Sequence, residues 1–260
     1  MRAMAAVRVH YEIVGAPSGP IVVLSHALGT SLALWDEQIE QLGETLSLVR
    51  YDLRGHGRSP APKGPYSIAD HGADLVALLD ELDISHASVA GVSLGAMIAM
   101  WAAARQPARI ERLALICTSA FLPPAEKWLQ RARLVRQEGM DAIAGQVPQR
   151  WFTGAMASAQ PEVFGRFERL IRQTDPEGYA SSCEAIGTMD LRADLRRIAQ
   201  RALVISGADD LATPPEHGQY IAENLVAGRH ITLQRAAHLA NVERSAEVTP
   251  LLIDHFAQDG

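Results

Sequence analysis

The chain has 260 residues, a net charge of −6 with both signs interspersed, and two cysteines. This length suits one large α/β domain with an elaboration, and the lack of any basic block argues against nucleic acid or an anionic membrane surface as partner. Cys117 and Cys183 form no metal-like or redox-like spacing, Met1 to Gly15 carries Arg8 and Glu12 unlike a secretory leader, and no apolar run reaches membrane-spanning length, so a cytoplasmic, reduced protein is expected.

Val7 to Val14 alternates in character and predicts an edge strand. Ile21 to Ser25 is a short continuous apolar run, the pattern of a strand buried on both faces. Trp35, Ile39 and Leu42 recur at helical spacing, and Leu46 to Tyr51 returns to strand character. Ser67-Ile68-Ala69-Asp70 reads as a capping box opening a helix whose apolar stripe is Leu75, Leu78, Leu79 and Leu82. A strand from Ala87 to Ala90 and a helix through Trp101 follow, then a strand over Arg112 to Cys117. The alternation pauses at Phe121-Leu122-Pro123-Pro124, resumes at Ala202 to Ser206 and closes with a short strand near His230 to Leu233. Strands alternating with helices require a mostly parallel sheet flanked by helices.

Leu122 to Leu191 has helical composition, no convincing strand, two of the four tryptophans (Trp128 and Trp151) and several arginines. An insertion at this point of the sheet sits on the C-terminal edge of the strands, where open α/β sheets bind ligands. The expected organisation is a core of residues 1–121 and 192–260 and a helical cap of residues 122–191 that forms the substrate pocket. The alternative is a helical extension that only adds stability.

Gly91-Val92-Ser93-Leu94-Gly95 lies between the Ala87 strand and the following helix. A G-x-S-x-G has chemical meaning at such a strand-to-helix turn, because the sharp turn pushes the serine Oγ out above the sheet. A Cβ at either glycine would meet the neighbouring strand or helix, and the helix N-terminus aims free N–H groups at the reaction centre. By itself the pentapeptide is equally a Gly-rich turn with a capping serine. The rest of the chain decides.

A serine nucleophile needs a base, the base needs an orienting acid, and the oxyanion needs donors. Ser206-Gly207-Ala208-Asp209-Asp210 puts carboxylates after one strand, and Gln234-Arg235-Ala236-Ala237-His238 puts a histidine after the last. The order Ser, acid, His is the one this topology imposes. Asp210 is the expected acid, standing in Gly-x-x-Asp before a Pro-containing segment, with Asp209 in reserve. Among the other histidines, His26 suits an orienting role beside the oxyanion loop. His56, in Asp52-Leu53-Arg54-Gly55-His56-Gly57-Arg58-Ser59, suits a loop of tight turns and buried hydrogen bonds. His217 suits a solvated helix surface, which leaves His238 as the base.

These residues resemble the α/β-hydrolase superfamily over nearly the whole chain. Within it, Leu24 to Trp35, Arg50 to Ser59, Gly139 to Ala144, Arg150-Trp151-Phe152-Thr153, Pro176 to Ala180 with Cys183 and Ala185, and Ala212 to Pro215 resemble the 3-oxoadipate enol-lactonases of bacterial aromatic catabolism. The cap matches are the more specific, since the sheet motifs are shared by many hydrolases. Ala27 departs from the glycine usual after the histidine, and Ala96 from a second glycine after the elbow; both are small.

The resemblance implies hydrolysis of a small enol-lactone bearing a carboxylate arm, through an acyl-enzyme on Ser93, with no cofactor or metal. It implies Leu28 and Leu94 as backbone oxyanion donors. The substrate carboxylate needs a cation or several N–H donors, for which Arg131, Arg133 and Arg150 are candidates. Trp128 and Trp151 either wall the pocket or fill the cap's own core. Other readings are a carboxylesterase or perhydrolase, a carbon–carbon bond hydrolase, and a non-catalytic ligand-binding relative.

Overall fold

The strands β1 (Tyr11–Gly15), β2 (Ile21–Ser25), β3 (Ser47–Tyr51), β4 (Ala87–Val92), β5 (Ile110–Ile116), β6 (Arg201–Gly207) and β7 (Ala227–Leu233) form one sheet in the order β1-β3-β2-β4-β5-β6-β7. Among the described residues only β1 runs antiparallel to its neighbour, and every other pairing is parallel. The computed structural model describes residues 4–257. Met1 to Ala3, the start of the N-terminal stretch read above, and residues 258–260, the end of the expected core, lie outside the described residues.

The helices are α1 (Asp36–Gly43), α2 (Ile68–Glu81), α3 (Leu94–Arg105), α4 (Ala125–Glu138), α5 (Asp141–Ala144), α6 (Gly154–Ala159), α7 (Pro161–Gln173), α8 (Pro176–Thr188), α9 (Pro215–Asn224), α10 (Ala240–Glu243) and α11 (Ser245–Ala257). In the core, α1 packs with α11 and α2 packs with α3, which lies on β4 and β5. The capping box at α2 forms: Ser67 Oγ accepts from Asp70 N–H, and the Asp70 carboxylate accepts from Ser67 N–H. Central β4 is buried at all six positions, as a strand covered on both faces must be.

Two strands differ most from their sequence-based bounds, the others by at most two residues at an end. β1 begins at Tyr11 rather than Val7, because the N–H groups of Met4 and Val7 donate to the carboxylates of Asp70 and Asp74 on α2 and leave the ladder. β7 begins earlier, at Ala227, since parallel pairing with β6 satisfies its backbone whatever its exposed side chains. Cys117 lies just past β5 at a φ of 45° and is buried; Cys183 is a buried residue of α8.

Helices α4 to α8 follow β5 and precede β6, and no strand interrupts them. Helix α8 is bolted to the core. Its Gly178 approaches Gly55 so closely that a Cβ on either would meet the other's backbone at 2.3 Å. Its Glu177 accepts from Gly64 N–H at 3.1 Å and from the Arg136 guanidinium of α4 at 2.9 Å, and these donors hold its carboxyl down at about 2.

Candidate active site

Ser93 closes the turn between β4 and α3 with φ 53° and ψ −112°, a region costly for a residue with a Cβ. The surroundings enforce that conformation. Ser93 N–H donates to Ile116 O at 2.9 Å, and Thr118 Oγ1 donates to Ser93 O at 2.9 Å. A Cβ at Gly91 would lie 2.4 Å from Ala96 N, and one at Gly95 would lie 2.2 Å from Ser25 O, so both glycines are dictated by packing.

His238, in the loop after β7, shares Nδ1 with Asp210 Oδ2 at 2.8 Å, the donor being the ring N–H if the carboxylate is ionised. Asp210 is anchored in turn. Its Oδ1 accepts from Ala212 N–H at 2.7 Å and Thr213 N–H at 3.0 Å, and its Oδ2 accepts from Thr213 Oγ1 at 2.7 Å. Burial alone would raise the Asp210 carboxyl; the His238 ring and the Thr213 donors outweigh it and hold it below the ordinary carboxylate range. Among the described residues Asp209 has no such network.

The Leu28 and Leu94 amides have no acceptor among the described residues, which leaves two N–H groups near Ser93 for an incoming oxygen. The loop carrying Leu28 is stapled in place by two buried histidines. Gly29 N–H donates to His56 Nε2 at 3.0 Å, so His56 Nδ1 carries the proton and donates to Arg54 O at 3.1 Å. Leu53 N–H donates to His26 Nε2 at 2.9 Å, and His26 Nδ1 donates to Ala27 O at 2.8 Å. Burial pushes both rings down, His56 to about 3, so each stays neutral in its assigned tautomer. Both histidines thus have the structural parts expected of them. His217 does not: it sits on α9 but its Nδ1 pairs with Ser119 Oγ at 2.7 Å, so it is a half-buried tie between α9 and the loop after β5 rather than a solvated residue.

Ser93, Ala27, Leu28 and His238 form the floor of a cavity of about 250 Å³. Its walls come from the helical insertion (Leu122, Pro123, Lys127, Trp128, Arg131, Val147, Arg150, Trp151, Tyr179 and Ile186) and from Leu211 and Ala212 beside Asp210. Ser93 Oγ has no hydrogen-bond partner among the described residues and faces the cavity.

Of the candidate cap residues, Trp128, Arg131, Arg150 and Trp151 reach the cavity. Arg133 does not: two residues beyond Arg131 on α4, it faces about 200° away, is exposed, and pairs with Glu126 at 2.5 Å. Lys127 was not anticipated, although it lies four residues before Arg131 and so on the same helix face. Trp151 is both wall and core, since it lines the cavity and meets Phe167 edge-on at 6.2 Å. Arg131 lies over the Trp128 ring at 5.1 Å and, among the described residues, has no carboxylate partner. Among the described residues no Asp or Glu lines the cavity, and Lys127, Arg131 and Arg150 face it. Among the described residues no cluster of three or more His, Cys, Asp and Glu could hold a metal, and no helix is long and apolar enough to cross a membrane.

A family model for the alpha/beta hydrolase fold matches residues 20–245, and the chain belongs to that family. It is an enzyme of the hydrolase class. It is 38% identical over 240 residues, 92% of this chain and 89% of the relative, to 3-oxoadipate enol-lactonase 2 of Acinetobacter baylyi. The crystal structure of the enol-lactonase from Burkholderia xenovorans LB400 superposes with a TM-score of 0.94 at 41% identity, covering 98% of this chain and 99% of that one. A thermophilic esterase from Thermogutta terrifontis superposes with a TM-score of 0.90 at 25% identity, covering 95% and 92%.

Proposed function

We propose that this enzyme hydrolyses 3-oxoadipate enol-lactone to 3-oxoadipate, with Ser93 as nucleophile, His238 as base and Asp210 as the acid that orients it. One observation carries the reading: a cavity that brings Ser93, Leu28 and His238 together under three cationic side chains and no carboxylate. That is the environment a lactone with a carboxylate arm requires, because an anion that leaves water for a pocket must replace its lost hydration.

In this mechanism Ser93 Oγ attacks the lactone carbonyl carbon and its proton passes to His238 Nε2. Asp210 accepts from Nδ1 and stabilises the imidazolium. The Leu28 and Leu94 amides receive the oxyanion, worth about 3 kcal/mol per donor. Collapse breaks the ring C–O bond, the enolate oxygen stays tethered to the acyl chain, and the proton returned by His238 yields the ketone. Water, deprotonated by the same histidine, then cleaves the acyl-enzyme. Residues 122–191 act as the cap of a core made by residues 1–121 and 192–260 and set the substrate preference. The reaction belongs to aromatic catabolism in the bacterial family that the sequence resembles, and a cytoplasmic enzyme fits it.

An esterase with a broader pocket is the second reading, favoured by an apolar rim in which Leu211 is 73% exposed. A panel comparing the enol-lactone with neutral aryl esters and ring-fission products decides. A kcat/KM for the lactone at least 100-fold above that for the esters supports the lactonase, and a preference for esters overturns it.

A further inference from the structure

Both residues flanking His238 are tied through their backbone N–H groups to one short stretch of the helical insertion, Leu239 directly and Ala237 through Glu243. Leu239 N–H donates to Trp151 O at 3.0 Å. Ala237 N–H donates to Glu243 Oε2 at 2.8 Å, while Glu243 Oε1 accepts from Thr153 N–H at 3.1 Å and from the Thr153 hydroxyl. Glu243 sits in α10, five residues past the histidine, and has no basic partner among the described residues. A half-buried carboxylate without a cation is sustained by hydrogen bonds alone, and here its donors come from two separate parts of the site. Thr153 caps α6 by accepting from Met156 N–H at 3.2 Å, and Phe152 packs on Phe167 of α7 at 5.2 Å. Trp151, two residues before Thr153, lines the cavity.

We propose that Glu243 is a positioning residue that locks the loop carrying His238 to the cavity wall carrying Trp151, so that base and substrate wall are held as one body. This deepens the proposed function and rests on His238 being the base. Glu243 touches no reacting atom; it acts through Ala237 on one side and Thr153 on the other. A carboxylate can accept on both oxygens, whereas an amide accepts on one and must present N–H groups to the other side. With two donors on Thr153 and one on Ala237, Glu243→Gln keeps its oxygen on Thr153 and sets its NH₂ against Ala237 N–H. The variant therefore releases the Ala237 side of the histidine loop and leaves the Leu239 bond to Trp151 as its remaining tie to the wall.

The test measures kcat and KM for the enol-lactone and for a neutral aryl ester, well below each variant's melting temperature, in Glu243→Gln, Thr153→Ala and Ser93→Ala. Since misplacing a catalytic group by about 1 Å costs on the order of 100-fold, Glu243→Gln is expected to lower kcat at least tenfold on both substrates with KM little changed. Thr153→Ala, which removes the hydroxyl donor on the wall side and leaves Ala237 bound, is expected to raise the lactone KM several-fold and to lower kcat less. A folded Glu243→Gln enzyme with kcat within twofold of wild type overturns the proposal and makes Glu243 a stability residue only. If Glu243→Gln does not fold, Thr153→Ala decides, and unchanged constants on both substrates overturn it. Ser93→Ala separates the two levels: turnover surviving there sinks the serine mechanism itself, while its loss beside a normal Glu243→Gln sinks only the positioning role.

Discussion

Arg131→Met removes what is, among the described residues, the one partly buried cation that faces the cavity without a carboxylate partner, and keeps an unbranched apolar stem on the Trp128 ring. A hydrogen bond to a charged group contributes about 1.5–3 kcal/mol net, and at about 1.4 kcal/mol per tenfold this is about 10- to 150-fold in affinity. The carboxylate arm is remote from the scissile bond and bound alike in ground and transition states, so the loss falls on KM with kcat nearly constant. Lys127 and Arg150 also line the cavity but are exposed, which limits each to about 1 kcal/mol. Lys127→Met and Arg150→Met therefore raise KM by less than about fivefold. Steady-state kinetics on the enol-lactone and on a neutral aryl ester provide the assay, the ester KM changing less than threefold in Arg131→Met. The reasoning is refuted if that variant leaves the lactone KM within threefold of wild type, or raises both KM values equally.

Ser93→Ala removes an Oγ that bonds nothing in the resting site, so the fold is retained while turnover drops by about 10⁴-fold or more; circular dichroism and a progress curve check both halves. Asp210→Asn disrupts the bond to His238 Nδ1 and lowers kcat by about 10⁴-fold, whereas Asp209→Asn stays near wild type; the reverse order would reassign the acid. Stability to urea falls as pH drops below about 6.5, because His56, His26 and His71 are buried with lowered pKa values. Each is neutral when folded, so below the unfolded value the unfolded chain binds more protons and stability falls with pH, for His56 until about 3. His56 alone accounts for about 1 kcal/mol between pH 6 and pH 5, the other two adding in the same direction; a flat profile over that interval contradicts their burial as neutral rings.

Much of this protein was legible without coordinates because the physics involved is local. Ile21 to Ser25 carries the continuous apolar run of a doubly buried strand, Ser67 and Asp70 cap α2 through bonds three residues apart, and the two glycines around Ser93 report a close approach that any Cβ would prevent. The order of Ser93, Asp210 and His238 follows from each standing at the end of a parallel strand, where chain order and spatial order are linked by the crossover rule. What remained open depended on long-range placement. Arg131 and Arg133 have the same chemistry on paper, and only the rotation of α4 against the sheet turns one to the cavity and the other to solvent. A short local pattern alone favours Asp210 over Asp209, and only the placement of β6 and β7 brings the Asp210 carboxylate to His238. The bond from Thr153 through Glu243 to Ala237 spans 90 residues of chain on one side. No periodicity records such a contact, because hydrogen-bond geometry is met in space and the sequence holds only the donors and acceptors.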